Sequence, residues 1–281
     1  MRTLRQGMKG EDVRYLQYFL GINADAIFGP ATTNAVKNKQ KKTGFVGKEI
    51  DGSVGPATQK KWGLSDYIVD VYDKDQVWFA GTPYGADHKP LKYLSTWARE
   101  EGADKVYNLA FYNLSGSGSD QYGVIKGRTV TYLKAKGYDV GYGGTAEKIT
   151  IDNNNICSGY KVAIKDGKKK SVSAVGKRTR RANGLLTDGR YFEVLSLCLV
   201  TESAMRDYVY KNYPVLLMLI QDAGGSGAFY DASKGVLISP EGRKENGIYG
   251  RQVASVVCIR DKVQKPIVTV KVCQCCGQVM K

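Results

Sequence analysis

The stretch Val215-Leu216-Leu217-Met218-Leu219-Ile220-Gln221-Asp222-Ala223-Gly224-Gly225-Ser226-Gly227 decides how the larger part of the chain is read. Its apolar run falls far short of the roughly 20 residues needed to cross a membrane and matches a strand buried on both faces. The strand ends in Asp222 and then in small residues whose backbone N–H groups a ligand can approach closely. A carboxylate fixed at such a strand end can orient a sugar hydroxyl, bind an ion or work as acid or base. An ordinary Gly-rich hairpin is the plainer reading of the same residues.

Around this stretch, residues 77–262 show short alternating runs separated by Gly-rich turns, as at 124–132, 160–164 and 191–197. Helical spacing is confined to 92–101 and 203–212. Without regular alternation of strand and helix, the pattern predicts an α+β domain rich in antiparallel strands.

The first 64 residues are organised differently. Asp25-Ala26-Ile27-Phe28-Gly29-Pro30-Ala31-Thr32 recurs 26 residues later as Asp51-Gly52-Ser53-Val54-Gly55-Pro56-Ala57-Thr58. In each copy an Asp opens a turn, and a Pro at the first helical turn launches a helix. Ahead of the first copy, Val13, Leu16, Phe19 and Leu20 stand at helical spacing behind Glu11 and Asp12. The expectation is a three-helix module over 1–64, a linker over 65–76, the larger domain over 77–262 and a cysteine-rich tail over 263–281.

A chain of 281 residues with 42% hydrophobic content has enough apolar surface for two packed cores. The formal net charge of +15 attracts polyanions. The module holds 11 basic and 5 acidic residues, so the excess is spread over both parts rather than held in a tail, which argues against a nucleic-acid partner. The opening Met1-Arg2-Thr3-Leu4-Arg5-Gln6-Gly7 has no apolar leader behind it, so the expectation is a protein made in the cytoplasm, with its cysteines as thiols and no membrane insertion.

A single histidine, His88, excludes zinc sites built on two or three imidazoles. No Gly-x-Ser-x-Gly nucleophile motif accompanies it, and between Asp87 and Lys89-Pro90 it reads as a loop residue. Hydrolytic chemistry would therefore rest on carboxylates, arginines and backbone donors, with no metal or cofactor expected. Cys273, Cys275 and Cys276 fall short of a complete zinc site and read as thiols.

Residues 1–64 resemble the peptidoglycan-binding domain family. The pattern is carried by Leu4-Arg5-Gln6-Gly7-Met8-Lys9-Gly10, the helix motif Val13-Arg14-Tyr15-Leu16-Gln17, the two turns, and the closing Trp62-Gly63-Leu64. One departure is Ala26, where the family has Gly. The resemblance implies recognition of peptidoglycan stem peptides beside the helices, with Asp25, Gly29, Asp51 and Gly55 as substrate-binding candidates.

The larger part resembles the phosphodiester glycosidase family. Its motifs are matched in order by the stretch from Glu101-Gly102-Ala103 to Asn108-Leu109-Ala110-Phe111-Tyr112, by Arg180-Arg181-Ala182-Asn183-Gly184 with Asp188-Gly189, by Gln221 to Ser226, and by Arg251-Gln252-Val253. Leu109-Ala110 replaces paired glycines, Gln221 replaces a Leu, and Ala223 replaces the first Gly of a triplet. An active distant member and a domain that has lost activity both fit.

What the resemblance implies is a catalytic set of Asp222, Arg180, Arg251 and Asn108. The arginines would clamp a phosphodiester, Asp222 would serve as acid–base or sugar-orienting group, and Asn108 would hold a hydroxyl or amide. Gly224, Gly225 and Ser226 would line the substrate. Asp188-Gly189 reads as a structural turn.

Together these features fit a bacteriophage endolysin, held in the host cytoplasm until release onto the wall. Its partners would be peptidoglycan and the associated anionic wall polymer, and its reaction cleavage of a sugar-1-phosphodiester or glycan linkage. The alternative is a non-catalytic wall-binding or virion structural protein.

Overall fold

The computed structural model describes residues 1–81, 91–109, 147–152, 155–159, 161–241, 250–253 and 255–261. The strand expected at 124–132, His88, residues 110–112 and the tail at 263–281 lie outside them.

The N-terminal module is three helices, α1 (Glu11–Leu20), α2 (Pro30–Lys42) and α3 (Pro56–Trp62). Val13 and Leu16 face inward and meet Leu4, Phe28, Val36, Val54 and Trp62 in one small core. Pro30 and Pro56 sit in the first turns of α2 and α3, where a missing N–H costs nothing.

The sequence repeat has a physical cause, because each turn is organised around one buried glutamine. The Gln17 side chain donates to Asp25 Oδ1 (2.7 Å) and Ile27 O (2.9 Å) and accepts from Ala26 N (2.8 Å). Gln40 repeats this with Asp51 Oδ1 (3.0 Å), Ser53 O (2.9 Å) and Gly52 N (3.0 Å). The middle residue of each turn is left-handed, with φ of 66° at Ala26 and 78° at Gly52. Only glycine adopts that conformation without steric cost.

The larger domain is mixed α+β, built in four layers. A six-stranded antiparallel sheet has the order β1-β9-β8-β10-β6-β7, and a five-stranded one the order β12-β11-β3-β13-β2. The strands of the first are β1 (Tyr67–Tyr72), β6 (Lys161–Lys165), β7 (Lys168–Lys169), β8 (Arg181–Leu186), β9 (Tyr191–Ser196) and β10 (Val215–Ile220). Those of the second are β2 (Val77–Gly81), β3 (Lys105–Asn108), β11 (Phe229–Asp231), β12 (Val236–Ile238) and β13 (Ser255–Ile259). A short ribbon pairs β4 (Lys148–Asp152) with β5 (Asn155–Ser158).

The two-residue period sorts side chains between layers. Along β10, Leu217 and Leu219 enter the core between the sheets, while Met218 and Ile220 face α5 (Glu202–Asn212) with its Met205 and Val209. Along β13, Val257 and Ile259 face inward, and Val256 and Cys258 face α4 (Leu94–Glu101) with its Leu94 and Trp97. Tyr107 stacks on Phe229 between the sheets with ring centroids 4.8 Å apart. Each such fully buried aromatic stabilises the fold by about 2–3 kcal/mol relative to exposure.

The stretch expected to be a linker is instead structural. Tyr67–Tyr72 forms β1, which pairs with β9 along its whole length. Ile68 and Tyr72 enter the inter-sheet core while Tyr67, Val69 and Val71 pack on the α5 side. Interspersed aspartates mask this alternation, and one of them, Asp70, is satisfied by the Tyr107 hydroxyl. The module therefore joins the second domain with almost no spacer.

The junction is packed. Helix α1 lies against β12, an edge of the five-stranded sheet, and shields part of that edge. Tyr18 meets Phe229 edge-on (centroids 5.8 Å), the Glu11 carboxylate accepts the Ser239 N–H (3.0 Å), and the Met1 amino group pairs with Asp66 (2.9 Å).

Candidate functional site

Asp222 follows β10 and opens the loop that leads to β11. It is 6% exposed, accepts the Ala223 N–H (2.7 Å), and takes a hydrogen bond from the Ser226 hydroxyl. Burial pushes its carboxyl up to about 6; the Ala223 and Ser226 donors and the charges of Arg251 and Arg181 hold it from rising further. A buried carboxylic acid that titrates near neutrality suits proton donation.

The loop is tied on both sides. The Asp222 N–H donates to Leu109 O (3.3 Å), just past β3, and the Gly224 N–H to Thr179 O (2.9 Å), just before β8. Asn108 at the end of β3 accepts the Ala228 N–H (3.2 Å), and its buried Nδ2 has no hydrogen-bond partner among the described residues. Thr179 Oγ1 and Ser239 Oγ are likewise buried and, among the described residues, without a partner. Unpaired polar atoms of this kind cost stability, and two of the three belong to Asn108 and Thr179, which are bonded to this loop and the residue after it.

Two guanidinium groups lie against the loop glycines. A Cβ added at Gly225 would stand 3.2 Å from Arg251 Cζ, and one at Gly224 would stand 3.6 Å from Arg178 Nη1 and 3.8 Å from Glu241 Oε2. A Cβ at Gly227 would meet Thr179 Cγ2 at 2.8 Å, so that position excludes side chains. Arg178 and Arg251 are exposed, and among the described residues neither has an ion-pair partner. Among the described residues no cluster of three metal-ligating side chains occurs.

Of the sequence candidates, the fold thus brings Asp222, Asn108, Arg251, Gly224, Gly225 and Ser226 together. Arg180 is placed otherwise. Its guanidinium binds Glu202 Oε1 (3.1 Å) and Gly176 O (2.6 Å) on the α5 side of the sheet, which occupies the donors a phosphodiester would need. The loop is approached instead by Arg178, two residues earlier. The basic run Lys177-Arg178-Thr179-Arg180-Arg181 carries the signal, but sequence alone does not say which member points where.

Arg181 takes a third direction, into the space between the sheets. It is fully buried, pairs with Glu193, and stands 5.7 Å from the Tyr107 ring centroid, with Nε and Nη1 unpartnered among the described residues. Tyr191 donates to Glu193, Asn183 Nδ2 to Tyr191 (2.9 Å), and Gln221 Nε2 to Asn183 Oδ1 (2.8 Å). This chain of polar groups ends at the residue preceding Asp222. Burial pushes the Glu193 carboxyl up to about 7 against the opposing pull of Arg181, Tyr191 and Asn183.

The module's candidates lie apart from the loop. Asp25 and Asp51 accept from Ile27 N (2.8 Å) and Ser53 N (2.8 Å) in the glutamine-centred turns, and Gly29 and Gly55 precede α2 and α3. The Ile27 N–H and the Gln17 amide hold the Asp25 carboxyl below its usual range.

No protein-family model matches the chain, and no curated protein sequence matches it. Similar solved structures include the zebrafish N-acetylglucosamine-1-phosphodiester alpha-N-acetylglucosaminidase catalytic domain auto-inhibited by its pro-peptide. That match has 14% identity and a TM-score of 0.47, over 70% of this chain and 83% of that one. A hypothetical protein from Synechocystis matches at 10% identity and a TM-score of 0.46, over 69% of this chain and 59% of that one. The Burkholderia AP3 phage endolysin matches at 37% identity and a TM-score of 0.21, over 24% of this chain, and the chain spans 29% of that endolysin's length. The structural neighbours thus include a glycosidase catalytic domain and a phage endolysin, each similar over part of the chain.

Proposed function

We propose that this protein is a phage-type wall hydrolase, an endolysin whose N-terminal module binds peptidoglycan and whose second domain cleaves a sugar-1-phosphodiester or glycan linkage. The observation that carries the reading is the buried Asp222, titrating near 6 and held beside a glycine loop flanked by Arg178 and Arg251. In the reaction the Asp222 carboxyl protonates the departing oxygen as the bond to the anomeric carbon breaks. Water supplies the new C–O bond and returns a proton to Asp222. Arg178 and Arg251 hold the anionic group by forked hydrogen bonds, and the fully buried Asn108 holds the end of the loop through the Ala228 N–H.

Metal-free hydrolysis is proposed on these groups, with no cofactor. The partners are peptidoglycan and its anionic polymer, and the site of action is the bacterial wall after accumulation in the host cytoplasm. One observation favours the non-catalytic alternative: Leu109, at the position of a family glycine, is buried in the inter-sheet core.

The test is release of reducing sugar and phosphate from intact and teichoic-acid-stripped walls. Release abolished by stripping assigns the cut to the anionic polymer, and release that persists assigns it to the glycan strand. Asp222→Asn is expected to lower release by at least about a hundredfold with sedimentation on walls unchanged. No release from either wall by the unaltered protein would leave a binding protein.

A further inference from the structure

Two clefts flank the β11–β12 hairpin. One, of about 610 Å³, lies at the junction of the two domains and is lined by Arg14, Tyr18, Asn23 and Asp25 of the module and by Lys234 of the hairpin. The other, of about 450 Å³, runs beside α4 and is lined by Tyr93, Arg99, Tyr230 and Arg251. Gly235 and Leu237 line both clefts, so the two share a wall at the edge of the five-stranded sheet. Gly235 presents no barrier there, since even an added Cβ would meet nothing within 4 Å.

Each cleft has the size that holds a drug-sized ligand, about 300–1,000 Å³. Joined, they suit an extended chain better than a compact metabolite. Their chemistry is consistent along the path: Lys234, Arg99 and Arg251 supply positive charge against one lining carboxylate, Asp25, while Arg14 is paired with Glu11 (3.0 Å). Tyr93 and Tyr230 supply faces that suit the apolar side of a sugar ring, whereas the Tyr18 ring is already covered by the Lys234 ammonium (3.9 Å from its centroid). The second cleft ends at Arg251, the same guanidinium that lies against Gly225 of the Asp222 loop.

We propose that the two clefts are consecutive subsites for a single peptidoglycan strand. The junction cleft takes a stem peptide, whose carboxylates meet Lys234, and the glycan continues past Gly235 and Leu237 to Arg251. The module is then part of the substrate-binding surface as well as an anchor, and its packing on β12 sets the distance from the held peptide to Asp222. The identity of the ligand rests on the wall-hydrolase reading; the continuity of the trough does not.

Binding is measured by titration calorimetry on the full chain carrying Asp222→Asn, so that turnover plays no part. The probes are a soluble peptidoglycan strand of several repeats, a single disaccharide-peptide, and purified teichoic polymer. Lys234→Gln and the cleft-filling Asn23→Trp test the first subsite, and Arg99→Gln tests the second. All three variants are expected to weaken the long strand about tenfold, the effect of one lost charge-assisted contact or a blocked path. The single disaccharide-peptide should respond to Lys234→Gln and Asn23→Trp and ignore Arg99→Gln. Thermal unfolding of each variant reports that the fold is intact.

Three results overturn the trough: no effect of the junction variants on the long strand, an equal response to Arg99→Gln by long and short probes, or a response confined to the teichoic polymer. A hydrolase reading that fails on walls leaves this binding pattern to be found, so the two failures are distinct.

Discussion

The Tyr18 hydroxyl, on the N-terminal module, donates a 2.8 Å hydrogen bond to Asp231 Oδ2, on β11 of the second domain. The same Tyr18 ring receives the Lys234 ammonium 3.9 Å from its centroid, and Asp231 Oδ1 accepts the Lys234 backbone N–H (3.1 Å). One tyrosine thus ties the module to both ends of a short hairpin turn.

Removing the hydroxyl tests that tie. Tyr18→Phe keeps the edge contact with Phe229 and leaves Asp231 one donor short; a hydrogen bond to a charged acceptor contributes about 1.5–3 kcal/mol. The expected outcome is a loss of stability of that order in denaturant titration, with faster proteolytic cleavage near the junction. An unchanged midpoint and cleavage rate would show that the domains are held by the apolar contacts alone.

The turn at Ala26 predicts a gain. A side chain in the left-handed region costs about 1–2 kcal/mol, and glycine removes that cost while adding some unfolded-state entropy. Ala26→Gly should raise the module's stability by about 0.5–1 kcal/mol, read by thermal unfolding. The reciprocal Gly52→Ala should destabilise by more, because its Cβ would meet Thr33 Cγ2 at 2.8 Å.

The elevated Asp222 carboxyl links stability to pH. Its folded value of about 6 lies above the unfolded value near 3.9, so folding disfavours the ionised form. Stability from this group is therefore complete below about pH 4 and lost as the pH rises through 6. Asp222→Asn should stabilise the protein by roughly 2–3 kcal/mol at pH 8 and by little at pH 4. Wall hydrolysis by the unaltered protein should fall above pH 6 as the proton donor ionises.

The paired arginines separate a structural role from a binding one. Arg180→Ala leaves Glu202, 3% exposed, with fewer partners and should cost about 2–4 kcal/mol of stability. Arg178→Ala, at the surface, should change stability by no more than about 0.5 kcal/mol while weakening the anionic substrate about tenfold or more. The KM for wall polymer and the unfolding midpoint, measured for both, decide the assignment.

Between the sheets, Glu193→Gln should destabilise by about 3–5 kcal/mol, because Arg181 would be left buried without its counter-charge. The double variant Glu193→Gln, Arg181→Met should recover much of that loss. A single variant as stable as the starting protein would show that Glu193 is protonated in the folded state at the pH of the measurement.

The sequence by itself determined the elements whose cause is local. Helical spacing at Val13 and Leu16, the paired Pro30 and Pro56 starts, and the apolar run of β10 each follow from the period at which a short segment buries its own side chains. The repeated turns were legible for the same reason, since each is closed by an Asp within it. Asp222 was legible as a carboxylate at a strand end.

Only the tertiary structure decided what depends on residues distant in the chain. Residues 67–72 form an edge strand because β9 pairs with them, more than a hundred residues away. Arg178, Arg180 and Arg181 are near neighbours in sequence, yet one reaches the glycine loop, one binds Glu202 and one enters the core beside Glu193. Their chemistry is the same, and for Arg180 and Arg181 the direction is set by the carboxylate waiting on another helix or strand. The trough shared by the two domains is of the same kind: its walls come from α1 and from a hairpin more than two hundred residues later, and packing alone brings them together.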